Sequence, residues 1–459
     1  MTLRKLFQED IIYRRTSITK FLKNSTRAGF FNARFCDVKK LLLRVHAEER
    51  RNFEGTFAPL VCPSLPPFYS PRDPQDPTLV FESRFESGNL ELAARVSDTE
   101  YNLLLQNDIN SKGHTQWFFF KVMNMKTGVR YKFNIANFVK PDSLFNHGMQ
   151  SLVYSIKGFK ERGFGWQRGG SDYLYYPNGL MRENSEKRHF TLSFTYQFHY
   201  REDEVYFAYS FPYTYSQLVT YLDKLEGDEV CQKYLLPRFL TRKTLCRTLA
   251  GNKCDYLTIT NSGTSDQIKR KKGIVITGRV HPGETVGSWM MQGVLEFLTG
   301  SSPEAHAVRD QFVFKIIPML NPDGVINGNY RCSLVGADMN RRWKKPHKII
   351  HPVIYNAKRL IKSFASNFKL DLICDLHGHS RKKNIFMYGC NLREEPQICK
   401  LFPYMLSKAS AVFHFPYCKF NMSKSKDATM RVALFKETRI PCIYTLESSF
   451  LGPDTVMDI

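Results

Sequence analysis

Between the apolar run Ile274-Val275-Ile276 and an apolar, helix-like segment from Val286 to Leu298 lies Arg279-Val280-His281-Pro282-Gly283-Glu284. A histidine and a glutamate three residues apart, on a turn at a strand's end, can both face one metal ion. Zinc accepts imidazole nitrogen and carboxylate oxygen, and a catalytic zinc keeps three protein ligands with one position left for water. The pair alone is a weak signal; it needs a third ligand and a base. Asp375-Leu376-His377-Gly378-His379 offers the ligand, either His377 at the lip of a strand or His379 on the same side by strand alternation. Gly378 between them allows close approach of backbone or substrate. Glu447, after the apolar run Cys442–Leu446, places a carboxylate where it can take a proton from zinc-activated water. Two arginine sites stand between these segments. After the turn Asn321-Pro322-Asp323-Gly324 comes Arg331, suited to polarise a scissile carbonyl and hold an oxyanion. Asn340 and Arg341, in Asp338-Met339-Asn340-Arg341, combine an amide donor with a bidentate fork and suit the free carboxylate at a peptide's end.

The elements that must hold these residues alternate from Ile274 onward. Strands are predicted over Ile274–Thr277, Phe312–Met319, Leu370–Leu376, Ile385–Tyr388 and Cys442–Leu446, with helices over Val286–Leu298, Val353–Phe364 and Gln397–Ala409. Such alternation makes an α/β domain with a largely parallel sheet covered by helices, and its ligands bind beyond the carboxyl ends of the strands. The preceding region reads differently. Leu79–Phe85, Tyr101–Leu105, Gln116–Val122, Arg130–Phe138, His189–Phe198 and Val205–Phe211 are rich in aromatic and β-branched residues, which predicts an antiparallel sandwich. A helix is expected from Tyr215 to Leu225. Residues 1–57 are basic and weakly periodic, with partial order expected at best. Seven prolines between Pro59 and Pro77 then exclude a helix or central strand. The expected division is a basic, Pro-rich segment over 1–78, a sandwich over 79–235 and a catalytic domain over 236–459.

A chain of 459 residues, 42% apolar and 24% charged, can bury large cores and is globular. Its 11 cysteines are scattered without a CxxC pair, which fits reduced thiols in a cytosolic protein. Met1 to Lys23 lacks the apolar region of a signal peptide, and no run approaches the roughly 20 apolar residues of a membrane span. The net charge of +23, from 66 basic and 43 acidic residues, attracts polyanions. Nucleic acid, an anionic membrane and an acidic protein all fit such a field, and charge alone does not choose among them. With no recognised nucleic-acid-binding module and no membrane span, neither nucleic acid nor membrane is expected as partner.

Taken together, HPGE, NPDGVINGNYRCSL, DMNRRW, CDLHGHSRKKNIFMYGC and YTLES resemble the cytosolic carboxypeptidases, a branch of the zinc metallocarboxypeptidases. HTQWFFFKVMN and YFAYSFPYTYSQL are similar to that family's amino-terminal β domain. The resemblance covers roughly residues 79–450. It implies an α/β/α catalytic domain with a mostly parallel mixed sheet, one zinc per chain on His281, Glu284 and His377, and Glu447 as the base. It also implies Arg331 as the oxyanion group, with Asn340 and Arg341 anchoring the substrate carboxylate. Family members trim glutamates from tubulin and other acidic tails, which implies a cytoplasmic deglutamylase acting at microtubule structures such as centrioles, basal bodies or cilia. Selecting glutamate requires another cation, and the resemblance places Arg431 at the floor of the pocket for the departing residue. Lys424 and Lys426, in a polar run expected to be mobile, are second choices. Digestive relatives carry a tyrosine on a lid before the base. None occurs here between Tyr417 and Tyr444, so none is assigned. The resemblance also implies a further covering helix after Glu447, whereas the chain stops twelve residues later at Ile459. A shortened form, unstable alone or dependent on a partner, is therefore expected. The competing function is a catalytically silent protein that only holds acidic tails.

Overall fold

The computed structural model describes residues 11–14, 68–111, 113–182, 185–227 and 240–454. The chain forms two compact units: Met1–Pro212 with Val325–Tyr330, and Tyr213–Gly324 with Arg331–Ile459. The first boundary therefore falls at Pro212, whereas the sequence reading draws it near 235. The expectation for residues 1–57 lies outside the described residues, apart from one short strand. So does the expected missing helix after Glu447.

In the first unit the strands are β1 (Ile11–Arg14), β2 (Val80–Glu82), β3 (Leu90–Arg95), β4 (Glu100–Leu105), β5 (Phe119–Met123) and β6 (Arg130–Phe138). They continue with β7 (Ser151–Ser155), helix α1 (Ile156–Arg162), β8 (Gln167–Gly169), β9 (Ser171–Met181), β10 (Arg188–Gln197) and β11 (Val205–Ala208). Two sheets result, β1-β3-β4-β6-β10-β9 and β2-β5-β11-β7-β8. Alternation makes one face of each apolar, and aromatic rings fill the space between. Phe133 on β6 lies 5.5 Å from Phe207 on β11, and Phe207 stacks on Phe120 at 5.6 Å. The sandwich is as expected, but β1, β3, β7, β8 and β9 join the six predicted strands, and β4 and β6 run parallel. Which strands pair is decided by register across distant segments, and alternation within each strand carries no trace of it.

The second unit begins with α2 (Tyr215–Gly227), β12 (Leu240–Arg247), β13 (Lys253–Ile259), α3 (Ser265–Arg270), β14 (Lys272–Gly278), α4 (Val286–Thr299) and α5 (Pro303–Gln311). It continues through β15 (Phe312–Ile317), α6 (Pro322–Asn327), α7 (Pro352–Asn367), β16 (Leu370–His379), β17 (Ile385–Tyr388), α8 (Ile398–Ala409), α9 (Met430–Thr438) and β18 (Ile443–Ser449). The sheet order is β12-β13-β15-β14-β16-β18-β17. The four central strands are parallel, and both edges are antiparallel. Val275, Ile317, Ile361, Ile373 and Ile443 are buried in its core. Strands β12 and β13 escape the sequence reading because basic and polar residues interrupt their apolar positions. One boundary matters for chemistry. β16 runs three residues past the predicted end at Leu376, because it stays paired with β18 from His377↔Glu447 to His379↔Ser449. His377 is therefore inside a strand, not at its lip. No helix among the described residues is long and apolar enough to cross a membrane.

Candidate metal centre

Strand β14 ends at Gly278, and Arg279 then adopts a left-handed backbone with φ of 57°. That conformation is costly for a residue with a Cβ, so something must hold it. The buried guanidinium does so: it donates to Pro282 O at 2.6 Å, Ser288 Oγ at 2.7 Å and Tyr213 O at 2.9 Å. It thereby ties the HPGE turn to the start of α4. Asn321 supports the turn from the next strand's end by donating to Val280 O.

On this turn His281 Nδ1 lies 2.9 Å from Glu284 Oε1, and His377 Nδ1 lies 2.9 Å from Glu284 Oε2. All three side chains are buried, and one donor atom from each lies within 4.8 Å of the others. Two imidazole nitrogens converging on one carboxylate form a donor set suited to a single zinc ion. The outer nitrogens fit the same reading. His281 Nε2 meets Asp338 Oδ1 at 3.2 Å, and His377 Nε2 meets Asp375 Oδ2 at 2.7 Å. A carboxylate on the far nitrogen fixes the tautomer and leaves the near nitrogen to bind metal. Asp375 is itself held by Thr277 Oγ1 at 2.7 Å, and Asp338 by Arg331 Nε at 2.8 Å. Burial alone would push the His377 imidazole down, but Asp375 and Glu284 outweigh it and hold it well above the usual value. Burial would likewise raise Asp338, and His281, Arg331 and Arg341 reverse the sign.

Glu447 sits opposite His377 on β18. Among the described residues it has no hydrogen-bond or ion-pair partner, and it is half-buried. Burial pushes its carboxyl up to about 7, with Glu284 adding to the rise while His377, His281 and Arg331 oppose it. A carboxylate so tuned is near the ideal for a general base at neutral pH.

The remaining sequence candidates also gather here. Asn340 is buried, with Oδ1 accepting from Met430 N at 2.9 Å and Nδ2 3.5 Å from His377 Nε2. Arg341 donates to Asn340 O at 2.9 Å and lies 3.9 Å from Asp338. Arg431 lies on α9, buried, and donates to Gly389 O, with Cys390 Sγ at 3.7 Å. No carboxylate reaches Arg431 among the described residues: Asp427 pairs with Lys436, and Glu437 with Lys358 and Lys362. Burial accordingly pushes its guanidinium down. Lys426 is exposed, yet Arg341, Arg331 and Arg431 all act on its charge. His379 stands outside the ligand cluster; its Nδ1 accepts from Lys382 N at 3.0 Å and organises the following loop. Asp338, Asp375 and Arg279 went without roles in the sequence reading. Asp375 carried a signal, since residues two apart on a strand share a face.

The zinc carboxypeptidase family profile matches residues 229–388, and that of the cytosolic carboxypeptidase N-terminal domain matches residues 81–210. Cytosolic carboxypeptidase 2 of Danio rerio is 46% identical over 383 residues, covering 82% of this chain and 52% of the relative. Cytosolic carboxypeptidase 3 of Mus musculus is 45% identical over 389 residues, covering 83% of this chain and 38% of the relative. The chain thus spans about half the length, or less, of these curated relatives. Among solved structures, a metallo-carboxypeptidase from Burkholderia cenocepacia shares the fold with a TM-score of 0.66 at 21% identity, over 82% of this chain and 90% of that one. With its two profiles, its relatives and its buried His-Glu-His cluster, the chain belongs to the zinc carboxypeptidases, in their cytosolic carboxypeptidase branch.

Proposed function

We propose that the protein is a zinc-dependent carboxypeptidase that removes C-terminal or side-chain glutamates from acidic protein tails, such as those of polyglutamylated tubulin. The observation that carries the peptidase reading is Glu447 facing His377 across one strand pair, unpartnered, beside the three-residue donor set. His281, Glu284 and His377 would hold the zinc ion, which when bound would supply Lewis acidity and lower the pKa of water toward about 7. Glu447 then accepts a proton from the attacking water and passes it to the departing amine as the amide C–N bond breaks and the water oxygen joins the carbonyl carbon. Arg331, whose guanidinium pairs with Asp338, stabilises the oxyanion in this reading, and Asn340 and Arg341 bind the terminal carboxylate.

The glutamate reading rests on Arg431, since a buried cation without an acidic neighbour favours an anion from outside. The net charge of +23 supports tubulin or another glutamate-rich tail as partner, with action at microtubule structures in the cytoplasm. No specific observation favours the silent tail-binder, whereas the His281, Glu284 and His377 cluster supports the enzyme. The decisive experiment incubates the purified protein with peptides ending in Glu or Leu, with and without a zinc chelator, and assays the freed amino acid. Chelator-sensitive release of glutamate is the expected result; no release from either peptide would reject the reading.

A further inference from the structure

Strand β17 carries a second cationic feature on the opposite side of Glu447 from Arg431. Phe386 is the residue opposite Glu447 in the β17–β18 pair. Arg431 binds Gly389, just after the strand's end, whereas Lys382 precedes its start. Along β17, the position beside Glu447 therefore lies between the Gly389 end that Arg431 binds and the Lys382 end. The Lys382 ammonium is held between two rings, 4.9 Å from the centre of Phe386 and 4.7 Å from that of Tyr417. Those rings meet edge to face at 5.9 Å and fix the lysine's position. Its backbone N–H is pinned to His379 Nδ1 at 3.0 Å. Arg381 and Lys419 lie close enough to disfavour its charge, adding to the larger effect of burial, and its pKa is lowered. Among the described residues none of Arg381, Lys382 and Lys419 forms an ion pair with a carboxylate. Three cations gathered without a counter-ion, one of them pre-positioned by aromatic faces, make a site for an incoming anion.

We propose that Lys382, seated between Phe386 and Tyr417 and supported by Arg381 and Lys419, binds the side-chain carboxylate of the residue preceding the one released. The inference rests on the carboxypeptidase reading and extends it. The enzyme reads two successive acidic residues, Arg431 taking the last and Lys382 the one before it. A runs-of-glutamate substrate satisfies both, and a single terminal glutamate satisfies one.

The test compares the wild-type chain with Lys382→Ala and Lys382→Arg on two peptides that end in Glu and differ only in Glu or Gln at the penultimate position. Both kcat/KM and equilibrium peptide binding are measured. Wild type should favour penultimate Glu by about five- to tenfold, as expected for one charge-assisted contact at a partly buried site. Lys382→Ala should erase that preference while leaving the Gln peptide nearly unchanged, and Lys382→Arg should restore most of it. A preference that survives Lys382→Ala, or a wild type with none, overturns the subsite even if glutamate is released. If neither peptide is cleaved but binding shows the Lys382-dependent preference, the subsite stands and the hydrolytic reading falls. Absence of both cleavage and binding overturns both.

Discussion

At the scale of single residues, His281, Glu284 and His377 bind metal only as a set. Replacing His281 or Glu284 by Ala should reduce zinc from one per chain to a small fraction, with loss of activity, whereas His379→Ala should retain it; metal analysis of the purified variants checks this. Glu447→Gln keeps the shape but cannot accept a proton at neutral pH. It should bind zinc and substrate normally and lose at least ~100-fold in kcat, the low end for a positioned acid–base group. The same residue sets a pH dependence. Its carboxyl, raised by burial to about 7, must be ionised to act, so activity falls as pH drops through its pKa. A bound zinc ion nearby favours the charged form and moves that acid limb below 7. A kcat/KM profile with no acid limb above about pH 4 would remove Glu447 from the role. Arg431→Leu takes away a buried cation that no carboxylate reaches among the described residues. Its kcat/KM should fall by two orders of magnitude or more on a peptide ending in Glu, since an unpaired carboxylate in a closed site is expensive. The fall on a peptide ending in Leu should be far smaller; equal losses would make Arg431 a scaffold residue.

At the scale of elements, the site depends on how closely α4 lies against β16. A Cβ added at Gly287 would meet the carbonyl oxygen of Leu376 at 2.8 Å, and a backbone atom cannot rotate away. Gly287→Ala gains up to about 1 kcal/mol of helix propensity, but overpacking of this kind costs about 1–3 kcal/mol. The variant should melt at a lower temperature and bind zinc less tightly, because Glu284 lies on the turn that leads directly into α4. An unchanged melting temperature would show that the helix shifts freely. Gly378 serves the same packing. Phe450 and Val286 press to within 2.7 and 2.8 Å of where its Cβ would be, so neighbouring side chains use the space the sequence reading left for substrate. Arg279 closes the list of positioning devices: one buried side chain holds both its own left-handed turn and the helix start that follows.

At the scale of the whole molecule, a net charge of +23 governs encounter more than fold. Acidic substrates should be drawn in at low ionic strength, and the attraction weakens once the Debye length falls to about 10 Å near 0.1 M salt. For a glutamate-rich peptide, kcat/KM should therefore fall several-fold between 0.02 and 0.2 M salt, mainly through KM. A neutral peptide ending in a single Glu should lose less. Equal salt dependence for the two would mean that the basic residues do not act on the substrate's approach.

Much of the site is legible in the chain itself, for a local reason. Ligands of an α/β sheet lie just past strand ends, and strands and helices announce themselves by apolar periodicity, so His281, Glu284 and Glu447 stand out beside Ile274–Thr277 and Cys442–Leu446. The antiparallel character of the first unit follows in the same way from alternation and aromatic content. What periodicity cannot hold is the pairing of segments far apart in sequence. The choice of His377 over His379 depends on β16 lying beside β14 and β18, which carries His377 to Glu284 and leaves His379 to the loop. The roles of Asp338 and Asp375 depend on which imidazole each meets, and the parallel β4–β6 pair depends on register alone. Among the described residues, the lack of an ion pair at Arg431 and at Lys382 arises the same way. Burial, direction and the absence of a neighbour are properties of the packed chain, so only the tertiary structure decides them.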